Sequence, residues 1–220
     1  MTREELRRKL ALIVITDPNC GPGRELADVV AQALAGGAPA IQLRAKEASA
    51  REMAELGRRL LELTRAAGAL LFVNDRVDVA LAIGADGAHV GSDDLPVPAA
   101  RQIAPPGFLI GRSVDRAEEV PAAIAEGADY IGAGPVYPTG SKPDAGPVMG
   151  IDGLRQVCAA AGDIPVVGIG GINGENAEAV VAAGAVGVSV ISAVMQAEDP
   201  AAATGSLLAA VQRGAAPRAS

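Results

Sequence analysis

Short apolar segments of strand length recur about eight times along this chain, and stretches with helical periodicity separate them. This alternation is typical of βα units around a parallel sheet, since each helix returns the chain to the edge where the next strand begins. The apolar segments are Leu10–Ile15, Ala40–Leu43, Leu70–Val73, Gly87–Val90, Leu109–Ile110, Tyr130–Gly132, Val166–Ile169 and Val186–Val190. Eight such units in 220 residues predict an α/β protein with a single (β/α)₈ TIM-barrel domain, its barrel spanning about residues 10–213. A doubly wound sheet is the alternative fold, because strand order cannot be read from one sequence.

The stretches between the strands carry helix signals. The predicted helices are Arg24–Leu34, Arg51–Ala66, Arg116–Glu126, Ile151–Ala161 and Asn176–Ala183. Gly84, Gly127 and Gly184 each precede an alanine after a helical stretch, as expected for a glycine that ends a helix. The segment Gly134–Gly150 is too rich in Gly and Pro for a helix, and a long loop in a compact fold is often functional. The last residues, Gly214–Ser220, are predicted to be frayed.

The composition excludes several classes of protein. Hydrophobic residues make up 50% of the chain, which is enough for a large buried core. The formal net charge of −7, without a block of Lys and Arg, argues against a nucleic-acid partner. The N-terminus lacks the apolar region of a signal peptide and no apolar run suits a membrane span, so a cytoplasmic protein is expected. Cys20 and Cys158 are expected to be free thiols, and no zinc site can be assembled from them.

A glycine pair marks the most distinctive strand-to-helix junction. The strand Val166–Ile169 ends in Gly170 and Gly171, and a helix opens shortly afterwards. Paired glycines lack the side chains that block an anion from backbone N–H groups, and a helix N-terminus adds partial positive charge. A second turn of this kind follows at Val190–Ser192. In a (β/α)₈ barrel these are the loops after the seventh and eighth strands, so the sequence predicts a phosphate site there.

Polar residues cluster directly after the other predicted strands. They are Gln42, Arg44 and Lys46 after the second strand, Asn74 and Asp75 after the third, Ser92, Asp93 and Asp94 after the fourth, Arg112 and Ser113 after the fifth, and Thr139, Ser141 and Lys142 after the sixth. In a barrel all of these converge on the mouth at the carboxyl ends of the strands. Asp75 and Asp94 then face each other and can hold one Mg²⁺, which prefers oxygen ligands.

Plainer interpretations remain open for these residues. Arg44–Glu47 is equally a solvated charged loop, Asp75 is a good N-cap for the next helix, and Gly91–Pro96 has the composition of a capped turn. His89, the single histidine, lies in an alternating strand and is expected to pack or to hydrogen-bond a site residue. A Ser-His-Asp triad is not supported. Three acidic residues are expected to be surface charges: Asp17, Glu47 and Asp115.

Taken together, these residues resemble the thiamine-phosphate synthase family, also called thiamine-phosphate pyrophosphorylase, over nearly the whole chain from about Leu12 to Pro200. The matching motifs are Gln42–Lys46, Val73–Asp75, His89–Gly91 with Asp94 and Leu95, Gly111–Ser113, Gly132–Thr139, Ser141 with Lys142, Val167–Ile172 and Val190–Ala193. The set is highly specific, whereas the glycine pair alone is a weak signal. The resemblance implies a transferase with two small-molecule substrates, a hydroxymethylpyrimidine diphosphate and a thiazole phosphate, which it joins into thiamine phosphate with release of pyrophosphate.

The resemblance also assigns site residues. It implies that the pyrimidine diphosphate is held by Gln42, Arg44, Lys46, Asn74, Ser113 and Lys142, and the thiazole phosphate by Thr139, Ser141, Gly171, Ile191 and Ser192. Three neighbouring residues are also assigned to substrate binding: Leu43, Ala45 and Gly140. Asp75 and Asp94 would bind the cofactor Mg²⁺. The catalytic residues would be Arg44, Lys46, Ser113 and Lys142. The implied chemistry is dissociative: pyrophosphate leaves, a stabilised cation forms at the pyrimidine methylene, and the thiazole nitrogen captures it.

The chain departs from the family pattern at two positions. Asp115 stands where family members often carry histidine, and Ser141 stands where threonine is commoner, with the hydroxyl kept. A related thiazole tautomerase shares the barrel and the phosphate loop and is expected to use a histidine at the Asp115 position for proton transfer. This chain has no histidine at that position and does have Lys46 and Asp94, which favours the synthase. A non-catalytic barrel that binds thiazole or thiamine phosphates is a third hypothesis, but a pure binder has no need of a metal pair that stabilises a leaving pyrophosphate.

Overall fold

The computed structural model describes residues 1–141 and 146–216 of the chain. Those residues contain eight strands, β1 (Leu12–Ile15), β2 (Ala40–Leu43), β3 (Leu70–Asn74), β4 (Gly87–Val90), β5 (Leu109–Val114), β6 (Tyr130–Ala133), β7 (Val166–Ile169) and β8 (Gly187–Val190). Neighbours in chain order pair in parallel, and β8 pairs with β1, where Leu12 aligns with Val188. The sheet therefore closes, so the predicted (β/α)₈ barrel is confirmed and the doubly wound alternative, an open sheet, is wrong.

Helices connect the strands and cover the outside of the barrel. They are α1 (Arg3–Lys9), α2 (Leu26–Ala35), α3 (Ala50–Ala67), α4 (Val77–Ile83), α5 (Val97–Ile103), α6 (Val120–Ala125), α7 (Gly150–Ala161), α8 (Ala177–Ala182), α9 (Ser192–Met195) and α10 (Pro200–Ala215), with a 3₁₀ helix at Ala117–Glu119. The predicted helix Arg116–Glu126 is thus split, because Pro121 in the first turn of α6 has no N–H to continue the preceding turn. Within residues 1–141 and 146–216, none of the helices has the length and apolar character needed to cross a membrane.

Fraying was predicted for Gly214–Ser220, of which residues 217–220 lie outside the described residues, and the described part differs from that prediction. Helix α10 continues through Ala215, past Gly214, where fraying is expected to begin. Arg213 pairs with Glu178 of α8 at 2.8 Å, and a Cβ added to Gly214 would lie 2.5 Å from the Glu178 carbonyl oxygen. The close approach of the two helices therefore holds this turn in place.

Successive residues of each strand face opposite sides of the barrel wall, which separates two cores. In β3, Leu71 and Val73 pack against the helices, whereas Phe72 fills the interior of the barrel. Tyr130 of β6 lies beside Phe72, with ring centroids 5.4 Å apart. By the same alternation Asn74, two residues after Phe72, faces inward at the carboxyl end of its strand. The last inward-facing residues of the strands thus form the floor of the mouth.

Candidate active site

A cavity of about 1040 Å³ opens at the carboxyl ends of the strands. It is lined by most of the predicted site residues, namely Gln42, Arg44, Lys46, Asn74, Asp75, Asp94, Ser113, Thr139, Gly140, Ser141, Gly171, Ile191 and Ser192. The barrel brings these residues together although more than a hundred positions separate the first from the last. Arg44 and Lys46 line this cavity, whereas Glu47 does not, although Lys46 is also exposed, as the solvated-loop interpretation of Arg44–Glu47 expects.

The side chains of two residues assigned to substrate binding do not line the cavity, and a third residue cannot be placed. Leu43 is fully buried between the strands and the helices, where a Cβ added to Gly57 of α3 would lie 3.3 Å from its Cδ2 atom. Ala45 packs against the same helix-facing core. Their side chains point away from the cavity because Gln42 takes the inward position of β2, so Leu43 and Ala45 could contact a substrate only through backbone atoms, and both assignments stay predictions. Lys142 lies outside the described residues.

Asp75 and Asp94 form an acidic pair at the mouth. Asp75 follows β3 with φ at 63°, a left-handed conformation that Asp tolerates better than most residues, and its N–H donates to the His89 carbonyl at 2.8 Å. The Asp94 carboxylate accepts the Gly91 N–H at 2.7 Å, so the capped turn predicted at Gly91–Pro96 is confirmed. The N-cap interpretation of Asp75 is wrong, because the N-cap residue of α4 is Arg76 and the helix has no side-chain cap.

The surroundings of the acidic pair shift the pKa of Asp75. Burial, then the hydrogen bond to Asp94 and its negative charge, raises the pKa of Asp75 to about 6, against the lowering effect of Lys46 and Arg44. Two carboxylates this close disfavour joint ionisation, and a cation between them relieves the repulsion. Across residues 1–141 and 146–216 no cluster of three or more metal-ligating side chains occurs. A pair of hard oxygen ligands fits Mg²⁺, which keeps several waters or phosphate oxygens in its shell.

Arg44 is held in place from the neighbouring strand by Thr16, a residue that the sequence analysis did not select. The Thr16 hydroxyl accepts the Arg44 N–H at 2.9 Å and donates to the Arg44 carbonyl at 3.1 Å. Thr16 is fully buried, and its own N–H donates to the Gln42 carbonyl. The backbone that carries Arg44 is therefore fixed on the end of β1. The position of Thr16, directly after the apolar segment Leu10–Ile15, was the sequence signal that could have indicated a residue at the mouth of the barrel.

The glycine pair after β7 has a packing role beside the phosphate binding predicted for it. Gly170 and Gly171 have φ of 96° and 63°, and a Cβ at Gly171 would lie 2.5 Å from the Pro138 carbonyl oxygen. The Tyr137 N–H donates to the Gly170 carbonyl at 3.0 Å. The glycines therefore let the loop after β6 lie directly against the turn after β7, rather than only leaving room for an anion. Asn176 secures the turn, donating from Nδ2 to the Gly171 carbonyl at 3.0 Å.

Hydroxyl groups from two loops meet beside this turn. The Ser141 hydroxyl donates to the Ser192 Oγ atom at 3.3 Å, which joins the loop after β6 to the start of α9. The Thr139 hydroxyl accepts the Ser141 N–H, also at 3.3 Å. Hydroxyls, glycine turns and backbone N–H groups together form a cradle of the kind that binds phosphate groups.

His89 lies deeper, inside the barrel. Its Nδ1 atom is 3.0 Å from the Tyr130 hydroxyl and its Nε2 atom is 2.9 Å from the Ser113 Oγ atom. The prediction that it hydrogen-bonds a site residue is confirmed. Asp115 is exposed, as predicted, and stands at the rim of the cavity.

Comparison with known proteins decides the family. The sequence profile described as thiamine monophosphate synthase matches residues 12–194. The chain belongs to this family. It is 54% identical over 202 residues to the thiamine-phosphate synthase of Moorella thermoacetica, covering 92% of this chain and 96% of that protein. It is also 54% identical over 194 residues to the thiamine-phosphate synthase of Roseiflexus castenholzii, covering 88% of this chain and 85% of that protein.

The solved structure of a thiamine phosphate pyrophosphorylase from Pyrococcus furiosus shares the fold, with a TM-score of 0.87 at 48% identity. The match covers 96% of this chain and 100% of that one. Membership of the thiamine monophosphate synthase family confirms the resemblance seen in the sequence, and with it the predicted enzyme class, a transferase.

Proposed function

We propose that the cavity joins a pyrimidine diphosphate to a thiazole phosphate, giving thiamine phosphate and pyrophosphate. The observation that carries this proposal is that one cavity has two different ends suited to phosphate groups. One end presents the cations Arg44 and Lys46 beside a carboxylate pair, which suits a diphosphate with a divalent metal. The other end presents hydroxyls and glycine turns, which suit a monophosphate. The names of the relatives support the same reaction.

The floor between the two ends is neutral and polar. Gln42 and Ser189, 3% and 6% exposed, lie on inward positions of β2 and β8, and Ser113 of β5 lines the same cavity. Uncharged donors and acceptors in a partly apolar pocket suit a heterocycle, whereas a charge in that position would be left without water. We infer that the pyrimidine ring lies on this floor with its diphosphate toward Arg44 and Lys46.

The proposed reaction needs charge stabilisation more than proton transfer. The bond between the pyrimidine methylene carbon and the diphosphate oxygen breaks, and the electron pair leaves with pyrophosphate. The lone pair of the thiazole nitrogen then forms the new carbon–nitrogen bond, and no proton is taken or given. Arg44 and Lys46 bind the oxygens on which negative charge develops, so they lower the barrier to departure. Lys142 is proposed to assist them, on the strength of its sequence motif.

We propose that Asp75 and Asp94 hold one Mg²⁺. Their oxygen ligands fit that ion, and their mutual repulsion gives the pair a reason to bind a cation. When bound, Mg²⁺ neutralises charge on the leaving pyrophosphate. The cytoplasmic location of the reaction stays a prediction.

Binding of Mg²⁺ is expected to weaken below about pH 6. The raised pKa of Asp75, about 6, means that this carboxyl is ionised above that pH and protonated below it, where the proton competes with the metal. The apparent dissociation constant for Mg²⁺ should rise by up to about tenfold per pH unit below this point and level off above it. Calorimetric titration of the protein with Mg²⁺ at a series of pH values checks this. A constant that does not change across the series would contradict it.

The reaction is tested by incubating the purified protein with both substrates, with and without Mg²⁺. The expected result is Mg²⁺-dependent release of pyrophosphate in a one-to-one ratio with thiamine phosphate, and no release when either substrate is left out. Isomerisation of a thiazole phosphate without pyrophosphate would instead indicate the tautomerase. Tight binding of thiamine phosphate without turnover would indicate the non-catalytic barrel.

A further inference from the structure

Three side chains form a hydrogen-bonded chain from the barrel interior to the cavity. Tyr130 of β6 is its inner end, Ser113 of β5 lines the cavity, and the imidazole of His89 on β4 joins the two. The Tyr130 hydroxyl is 3.0 Å from His89 Nδ1, and the Ser113 Oγ atom is 2.9 Å from His89 Nε2. The residues come from three successive strands, so no short sequence motif contains them.

The barrel wall is shaped around this imidazole. Gly111 of β5 and Gly132 of β6 take inward positions beside it. A Cβ at Gly132 would lie 2.9 Å from His89 Cε1, and one at Gly111 would overlap both His89 Nδ1 and the Tyr130 ring. Since either side chain would push the ring out of line, the two glycines create a slot that holds His89 between Tyr130 and Ser113.

Only one donor–acceptor order along the hydrogen-bonded series Tyr130–His89–Ser113 gives the buried Tyr130 hydroxyl an acceptor for its hydrogen. Tyr130 is 1% exposed, and burial, with the Asp129 charge, raises the pKa of its hydroxyl, which keeps its hydrogen. A buried hydroxyl has to donate that hydrogen, and among the described residues the acceptor within reach is His89 Nδ1. In a neutral imidazole with an accepting Nδ1, the other nitrogen carries the proton, so Nε2–H donates to Ser113 Oγ. The Ser113 hydroxyl hydrogen is then directed away from His89.

We propose that Tyr130 and His89 are positioning residues that fix the Ser113 hydroxyl as a hydrogen-bond donor toward an acceptor atom of the substrate. A serine without such neighbours rotates and either donates or accepts. Because one lone pair of its oxygen accepts His89 Nε2–H, the Ser113 hydroxyl hydrogen is left for another acceptor, and Ser113 favours a ligand that presents an acceptor at this place. The identity of the ligand rests on the proposed function, whereas the direction of the chain is a property of the protein alone.

The donor–acceptor order of the Tyr130–His89–Ser113 hydrogen bonds can be measured without any substrate, because it fixes the tautomer of His89. His89 is the single histidine, so ¹⁵N NMR of the protein without a polyhistidine tag gives one pair of ring nitrogen signals. At neutral pH the expected result is an unprotonated Nδ1 and a protonated Nε2. A protonated Nδ1 would overturn the proposal, and it would do so whether or not the protein makes thiamine phosphate.

The positioning role is tested by a double-mutant cycle. Tyr130→Phe keeps the ring and removes the hydroxyl, and it is expected to lower kcat/KM for the pyrimidine diphosphate about five- to tenfold, the effect of roughly one hydrogen bond. In a Ser113→Ala background the same change should have an effect of less than about twofold, because no hydroxyl remains to be oriented.

Equal losses in the two backgrounds would show that Tyr130 only packs, and would overturn the proposal. Thr204→Val is the matched control, since it also removes a buried hydroxyl, one on α10 that has no hydrogen-bond partner among the described residues. Its kcat/KM is expected to equal that of the unaltered protein. Absence of turnover in the unaltered protein would count against the proposed function, and the NMR result would still decide the direction of the chain.

Discussion

Replacing Asp75 or Asp94 by asparagine is expected to lower the rate of pyrophosphate release by roughly 10²–10³-fold, as loss of one preorganised stabiliser of transition-state charge does. Each carboxylate supplies a charged oxygen to the proposed metal site, and the amide that replaces it is neutral and a weaker ligand. A higher Mg²⁺ concentration should restore part of the rate in both variants. Initial rates at saturating substrate over a series of Mg²⁺ concentrations measure the effect.

The substitution at Asp75 is expected to leave the protein at least as stable as before. The folded-state pKa of about 6 lies above the ordinary 3.8, so above about pH 6 the ionised carboxylate lowers the free energy of unfolding, and this penalty disappears below 3.8. Asparagine carries no charge, and it tolerates the φ of 63° at this position. Thermal unfolding without Mg²⁺ near neutral pH should therefore give an equal or higher Tm for Asp75→Asn. A clearly lower Tm would mean that the carboxylate stabilises the fold.

Asp163→Asn provides the control for a lost surface carboxylate. Asp163 lies just before β7, at the amino ends of the strands, with a side chain 91% exposed and a 3.5 Å contact to Arg3. Its removal should change neither the rate nor the response to Mg²⁺, because exposed ion pairs contribute little. Full activity of the unaltered protein in excess chelator would contradict the metal assignment for both Asp75 and Asp94.

Much of the barrel could be predicted because its strands are short, apolar and buried on both faces. The bounds predicted for β2, β4 and β7 agree with the structure. The fifth strand was predicted too short, since the polar residues Arg112 and Ser113 interrupt the apolar pattern although they continue the strand. Arg112 and Ser113 are polar because they lie at the mouth of the barrel. The same polarity that made the strand prediction stop too early therefore indicates the site.

Site residues that directly follow a strand could be predicted from the sequence. Residues whose role depends on contacts with other strands of the barrel could not. Asp75 and Asp94 were found because parallel strands end at one edge. Leu43 was assigned from a motif, although the alternation along β2 already places it opposite Gln42. Thr16 and Tyr130 act through partners on other strands, and such pairings depend on the register of the closed sheet, which periodicity does not specify.

The second large effect is expected at Gly171. Gly171→Ala should raise KM for the thiazole phosphate about 10- to 100-fold, the effect of losing one or two charge-assisted hydrogen bonds. At a φ of 63° the new Cβ is strained, and it would lie 2.5 Å from the Pro138 carbonyl oxygen and 2.7 Å from Tyr137 Cβ. The loop after β6 must then move, and it carries the hydroxyl groups of Thr139 and Ser141. Steady-state kinetics with each substrate varied in turn measures the effect.

Selectivity between the two substrates is what identifies this role of Gly171. KM for the pyrimidine diphosphate should rise less than KM for the thiazole phosphate, because two of its three proposed cations, Arg44 and Lys46, lie across the mouth on the loop after β2, where Thr16 holds Arg44. Gly205→Ala in α10 is the matched control. Apart from the adjacent backbone of α10 itself, no atom of the described residues lies within 4 Å of the added Cβ, and a helical backbone accepts alanine, so both KM values should stay unchanged. If Gly171→Ala raised both KM values equally, the glycine would serve only the packing of the two loops, and the phosphate cradle would have to lie elsewhere along the mouth.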